Sequence, residues 1–284
     1  VFDVADIIIL EVNEKLPFVH GLENTIHISE VDMVIEGEHE GLTEFPSIVA
    51  GPVEEQIAES IVDRMTNGAC IQLGVGGMPD AIGKLIAESE LKDLGIHTEL
   101  LVNAYLDMHK AGKITNLNKH DIMRGKSVFS IAHGTKELFD WVSDNPSMCC
   151  APINYVNDLS VIGEIDNFVS INSCIAVDLF GQISAESAGT RHISGTGGQL
   201  DFLTAGFKNP RAQSFIALPS TYTDKKGNLH SNIKPTFTGG DIITDPRSQA
   251  YTMVTEYGIE NLAGASVWER AEKLINRSEE HTSE

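Results

Sequence analysis

Apolar positions along the chain fall into short β-branched runs alternating with stretches of helical spacing. Residues 6–13, Asp-Ile-Ile-Ile-Leu-Glu-Val-Asn, form a run suited to a buried parallel strand. A second apolar stretch follows at 31–35, and residues 36–46 are acidic, Gly-containing and read as a linker. From 52 to 65 the apolar residues Val53, Ile57, Ile61 (or Val62) and Met65 recur at helical spacing. Residues 69–75 then read as a strand and 76–78 as a turn. Pro79 stands where a helix can begin without its N–H, and 80–89 continue that helix. A strand over 96–102 and a helix over about 104–110 follow. Later strands are predicted at 127–132, 168–171, 175–179, 214–218, 232–237 and 250–255, with turns at 181–182 and 224–228. The last pattern is a helix over 266–276, with Ser266 as its N-cap. The alternation predicts an α/β fold, with some antiparallel β toward the C-terminal half.

Charge narrows the possible partners. Among 284 residues, 41 are acidic and 20 basic, a formal net charge of -21. Counterion release on nucleic acid or an anionic membrane needs clustered Lys and Arg, so neither is expected as the main partner. A small anion held locally by backbone amides stays compatible. No run of about 20 apolar residues occurs, so no transmembrane helix is expected. Cys70, Cys149, Cys150 and Cys174 have neither disulfide-framework nor zinc spacing, and are expected to be reduced thiols in a cytoplasmic protein. The ten histidines form no H-x-x-x-H pair, so no metal site is expected. Residues 1–10 read as mid-domain sequence, and 277–284, which continue no pattern, read as a cloning or assembly scar.

Three segments can carry chemistry. Residues 73–80, Leu-Gly-Val-Gly-Gly-Met-Pro-Asp, lie between a strand and a helix, where backbone can approach a ligand and free N–H groups can meet an anion. An ordinary tight turn needing a positive φ explains the spacing equally well. In Gly95-Ile-His-Thr-Glu-Leu-Leu101, Glu99 is a carboxylate in an apolar stretch, either solvated at a strand end or functional. His97 projects to the same strand face and either orients or charge-pairs that carboxylate, or is a packed histidine. Residues 181–202 are rich in Gly, Ser and Thr, and 194–198 can aim N–H groups at an oxyanion or phosphate, or simply connect elements. The nucleophile elbow G-x-S-x-G is absent.

Read together and in order, these segments resemble the acetyl-CoA hydrolase/transferase family, and within it the butyrate and 4-hydroxybutyrate CoA-transferases. The resembling words are Gln72-Leu-Gly-Val-Gly-Gly-Met-Pro-Asp-Ala81, Gly95-Ile-His-Thr-Glu99, Ala111-Gly-Lys-Ile-Thr115, Pro152-Ile-Asn-Tyr-Val-Asn157, Val169-Ser-Ile-Asn-Ser173, Val177-Asp-Leu-Phe-Gly-Gln182, Ser194-Gly-Thr-Gly-Gly-Gln-Leu-Asp-Phe202 and Thr255-Glu-Tyr-Gly258. The resemblance implies a CoA-transferase-like (NagB/RpiA-like) open sheet with flanking helices. Residues 1–44 would be the tail of a preceding domain of the same type, and 45–276 a nearly complete C-terminal domain. It further implies that Glu99 is the nucleophile, and that Gly74, Val75, Gly76, Gly77 and Met78 contact CoA. Gly197 and Gly198 would belong to the oxyanion and CoA-contacting loop, with further CoA contacts near Cys174 and Lys225. The implied reaction moves CoA between a short-chain acyl-CoA and a carboxylic acid through a glutamyl-CoA thioester. Coenzyme A is then a substrate, no other cofactor is expected, and the working form is a homodimer. An acyl-CoA hydrolase and an inactive CoA-binding fragment are the alternatives. Residues 100–109 depart from the commoner family pattern, near the expected acyl pocket.

Overall fold

The computed structural model describes residue 2 and residues 4–119 and 121–279. The β-branched runs assemble into an open sheet of eight strands. Its order from one edge to the other is Gly258–Asn261, Thr252–Thr255, Gln213–Ala217, Phe168–Ser173, Cys70–Leu73, Gly95–Val102, Ser127–His133 and Met148–Cys150. Every neighbouring pair is parallel except the edge hairpin of Thr252–Thr255 with Gly258–Asn261.

Parallel strands joined by helical crossovers are covered on both faces, which explains the β-branched and other apolar residues that run through them. One face carries the helices Pro52–Val62, Gly77–Glu88, Asn103–Lys110 and Lys136–Val142, whose Ile57, Ile61, Ile82, Ile86, Tyr105, Met108, Leu138 and Val142 share one core with Ile71, Leu73 and Ile171. Opposite it lie the shorter helices Ile153–Val156, Leu159–Gly163 and Gln199–Ala205, which bury Val156, Ile162 and Phe202 against Cys70, Val128 and Phe168.

The strand order positions the site. The chain builds outward from Cys70–Leu73 to Met148–Cys150, then returns to lay Phe168–Ser173 along the other side of Cys70–Leu73 and builds the opposite way. That reversal leaves a crevice beyond the carboxyl ends of Cys70–Leu73 and Phe168–Ser173, the place where open α/β sheets bind ligands. A buried polar lattice ties the two strands there. Gln72 Nε2 donates to Asn172 Oδ1 (3.0 Å), while Gln72 Oε1 accepts from Ser170 Oγ (2.7 Å) and Asn172 Nδ2 (3.0 Å).

Tyr105 fixes the strand end that opens this crevice. Its buried hydroxyl accepts from the Leu73 N–H (2.7 Å) and donates toward the Ile71 carbonyl (3.4 Å). Tyr105→Phe strands that N–H in the core, and is expected to cost about 1–3 kcal/mol of stability. Urea unfolding at neutral pH checks it; an unchanged midpoint would contradict the role.

Several elements differ from the sequence reading. The apolar runs near the start do form a parallel pair, Ile9–Val12 with Met33–Glu36, but almost every residue of it is exposed, not buried. No layer among the described residues covers it. The helix after the glycine turn starts at Gly77, so Pro79 is its third residue, where an N–H has no intrahelical acceptor to lose. The predicted strand over 232–237 shrinks to Ile233–Lys234, paired with Ala176–Asp178 outside the main sheet. The 181–182 turn joins Ala176–Asp178 to Ile183–Ser184, and the 224–228 turn joins Thr221–Thr223 to Leu229–Ser231, both antiparallel. Residues 280–284 of the presumed scar lie outside the described residues, whereas Arg277 pairs with Glu260 at 2.7 Å and its carbonyl accepts from Thr255 Oγ1. No helix among the described residues is long and apolar enough to cross a membrane.

Candidate active site

Glu99 lies within the strand Gly95–Val102, half-buried at the point where that strand passes the crevice. Asn157, the residue that ends the helix Ile153–Val156, donates through Nδ2 to Glu99 Oε2 at 2.7 Å. Gly197 and Gly198 close over the same carboxylate. A Cβ built on Gly198 would sit 2.1 Å from Glu99 Oε2 and 2.2 Å from Asn157 Nδ2, so only glycine permits this approach. A Cβ on Gly197 would lie 3.6 Å from Glu99 Oε1. Each carboxylate oxygen thus has its own neighbouring glycine.

His97 acts on this arrangement from beneath. It is fully buried, edge-on to Phe168, and its Nε2–H donates to the Val156 carbonyl at 2.8 Å. Burial, reinforced by nearby Lys119 and opposed by that hydrogen bond, lowers its pKa to about 3. A neutral His97 makes no ion pair with Glu99; it anchors the residue immediately before Asn157. Of the two sequence readings, the packed histidine is the one realised.

The sign of its effect on stability follows from linkage. Unfolded, the imidazole accepts a proton near pH 6.5; folded, it refuses one down to about 3. The contribution is therefore complete above pH 6.5 and is lost as pH falls through that value toward 3, reaching about 2 kcal/mol by pH 5. His97→Gln keeps a donor but cannot titrate. Between pH 7.5 and 5 its stability relative to the wild type is expected to rise by that amount. Parallel urea titrations at the two pH values test this, and a constant difference would refute it.

Two cavities meet at Glu99. The larger, of about 440 Å³, takes Gln72, Gly74, Val75, Cys174, Gly197 and Gly198 among its walls. The second, of about 420 Å³, is lined by Ile153, Asn154, Asn157, Asp158, Thr196 and Asp201 together with Glu99 and both glycines. Asp201 is held above the usual carboxylate range, chiefly by burial; the Asn157 amide opposes this and the charge on Glu99 adds to it.

Among the sequence-predicted residues, Glu99, Gly74, Val75, Cys174, Gly197 and Gly198 therefore converge on one cavity. Gly76 adopts φ +113° as the residue capping the next helix, so the tight-turn explanation of the glycines holds there, and it opens onto a separate cavity beside Phe45 and His133. Gly77 begins the helix, and Met78 turns its side chain into the core. Lys225 stands exposed on a hairpin turn, apart from the residues lining either cavity beside Glu99. Asn157 and Asp201 carried no role in the sequence reading. Both lie within family-like words, but only the tertiary fold places either near Glu99.

With this geometry established, comparison with known proteins identifies the family. Residues 134–282 match the acetyl-CoA hydrolase/transferase C-terminal domain. Butyryl-CoA:acetate CoA-transferase of Anaerostipes caccae is 51% identical over 274 residues, covering 96% of this chain and 61% of that protein. The 4-hydroxybutyrate coenzyme A transferase of Clostridium kluyveri is 39% identical over 272 residues, covering 96% and 62%. The chain thus spans about three fifths of the length of these relatives. RipA from Yersinia pestis superposes with a TM-score of 0.86 at 38% identity, over 98% of this chain and 60% of RipA. The 4-hydroxybutyrate CoA-transferase of Porphyromonas gingivalis does so with a TM-score of 0.81 at 36% identity, over 98% and 64%. A parallel sheet reversing direction at a glycine-lined crevice, and a family model matching more than half of the residues, agree: the chain belongs to the acetyl-CoA hydrolase/transferase family.

Proposed function

We propose that this protein moves coenzyme A between a short-chain acyl-CoA and a carboxylic acid, with Glu99 as nucleophile. The observation that carries the reading is a glutamate held by Asn157 and met by two adjacent glycines at the sheet's switch crevice. The names of the relatives, which act on butyryl-CoA and acetate or on 4-hydroxybutyrate, support the substrate class.

In this scheme Glu99 attacks the thioester carbonyl, giving a mixed anhydride and CoA thiolate. The thiolate then attacks the Glu99 carbonyl, releasing the free acid and leaving a glutamyl-CoA thioester. An incoming carboxylate reverses both steps. A carboxylate suits the exchange because nucleophile and leaving acid are chemically alike. Each tetrahedral intermediate carries an oxyanion, and one backbone donor aimed at it is worth about 3 kcal/mol. Every step is acyl transfer between oxygen and sulfur, which asks for neither metal nor redox cofactor.

The uncovered parallel pair at Ile9–Val12 and Met33–Glu36 supports assigning residues 1–44 to a preceding α/β domain, since such strands are normally covered on both faces. Four free thiols support a reducing, cytoplasmic setting. A homodimer is proposed on the family resemblance alone.

The test is exchange by the full-length protein between butyryl-CoA and isotopically labelled acetate. Labelled acetyl-CoA, formed only when acetate is present, is the expected product. Thiol release at the same rate without an acceptor acid would replace the reading with a hydrolase. CoA binding without turnover would replace it with a binding module.

A further inference from the structure

Two buried carboxylates stand behind the loop over residues 194–198, and neither takes part in the steps above. Asp245 is 0% exposed. Its Oδ2 accepts from Gln199 Nε2 at 2.6 Å, while its Oδ1 has no partner. Burial pushes this carboxyl up to about 6; the Gln199 bond opposes the rise and the charge of Glu186 adds to it. Glu186 is 7% exposed, and its Oε1 accepts from Thr196 Oγ1 at 2.9 Å. The Glu186 carbonyl also accepts the N–H groups of Ile193 (2.8 Å) and Ser194 (3.2 Å).

The pattern of attachment is what matters. Thr196 and Gln199 flank Gly197 and Gly198, one on each side. The segments bearing the two carboxylates are joined to each other, because the Thr244 N–H donates to the Ile183 carbonyl (2.8 Å) and the Ala185 N–H donates to Thr244 Oγ1 (2.9 Å). The loop over Glu99 is therefore gripped at both shoulders from a single block. Burying a carboxylate with an oxygen left unpaired costs stability, and an apolar residue of similar size would avoid that cost. Departures of this kind gather where a site must be held in one geometry.

We propose that Glu186 and Asp245 are positioning residues that hold Gly197 and Gly198 against Glu99. The assignment rests on the transferase reading of the same site. Removing either grip releases one shoulder of the loop, and misplacement by about 1 Å at a reacting centre is enough to cost about 10²-fold in rate.

The experiment follows formation of the CoA adduct on Glu99 by intact-protein mass, mixing the full-length protein rapidly with butyryl-CoA. Asp245→Ala and Glu186→Ala are expected to slow adduct formation at least about tenfold, with the butyryl-CoA concentration for half-maximal rate moving less than about threefold. Asp245→Asn and Glu186→Gln keep an acceptor oxygen toward Gln199 and Thr196, and are expected to recover most of the rate. Thr196→Val and Gln199→Ala remove the same two bonds from the loop side without touching the buried carboxylates. They reproduce the loss even if an alanine variant fails to fold. The proposal is overturned if both loop-side variants form the adduct at the wild-type rate, or if the amide variants are no faster than folded alanine variants. A wild-type protein that acquires no adduct overturns the transferase reading itself, an outcome distinct from either of these.

Discussion

Glu99→Gln is expected to lower CoA transfer by about 10³-fold or more, as removal of a covalent nucleophile does. The substitution is nearly isosteric, and Asn157 Nδ2 can still donate to the glutamine carbonyl oxygen, so the fold and the two cavities should survive. Ground-state binding of acyl-CoA should change little. What disappears is the reactive oxygen pair. The decisive measurement is the mass of the intact protein after exposure to acyl-CoA: a CoA-sized adduct on the wild type and none on the variant. An adduct surviving Glu99→Gln would falsify the role of this residue, whatever the bulk activity. Glu99→Asp retains a carboxylate but withdraws it by one methylene from Asn157 and the glycines. It should lose most of the rate as well, which separates placement from charge.

Gly198→Ala carries the second large effect. The new methyl group would fall 2.1 Å from Glu99 Oε2 and 2.2 Å from Asn157 Nδ2, distances no pair of non-bonded atoms holds. Either the loop lifts away or the carboxylate is driven off its amide donor. The first withdraws the loop from Glu99 and the second moves the proposed nucleophile itself; with a misplacement of about 1 Å in either case, kcat should fall about 10²-fold. The loop is otherwise exposed, with residues 191–197 open to solvent, so thermal stability should be nearly unchanged. Wild-type kcat in this variant would show that the close approach is not used in the reaction. Gly197→Ala offers an internal control, because its Cβ would meet Glu99 Oε1 at 3.6 Å, an ordinary contact, and a milder loss is expected.

The strands of the sheet were legible where they are long and β-branched, as at 96–102 and 127–132, because burial on both faces enriches them in such apolar residues. Helices with several turns were legible for the same reason of period. Between 134 and 167 the pattern of apolar positions predicts no helix or strand. The structure places Lys136–Val142, Met148–Cys150, Ile153–Val156 and Leu159–Gly163 there, elements of three to seven residues too short to display a period. The helix Gln199–Ala205 is hidden behind its glycine-rich approach, whose composition reads as a loop. At the site, Glu99 stood out because it interrupts an apolar strand, and the glycines because three occur within four positions at 74–77 and again at 195–198. Asn157 gave no such signal. Its place beside Glu99 comes from a helix end held at Val156 by His97 from the neighbouring strand, a relation distant in sequence that no local pattern encodes. Glu186 and Asp245 were hidden likewise, since each carboxylate meets its loop partner only through the fold.

The crowding of acids around Glu99 gives the proposed cycle an order of events. With Glu99 ionised, Asp201 already feels its charge, and an acceptor carboxylate approaching the same place would bring a further negative group into partly desolvated space. Once Glu99 is a thioester its charge is gone, and the same volume admits an anion at lower cost. In the proposed cycle the resting protein would therefore disfavour free acids, whereas the loaded one would receive them. Alternating occupancy then arises from electrostatics rather than from a moving gate, and double-reciprocal plots at varied acceptor concentration should be parallel lines, the signature of a ping-pong exchange.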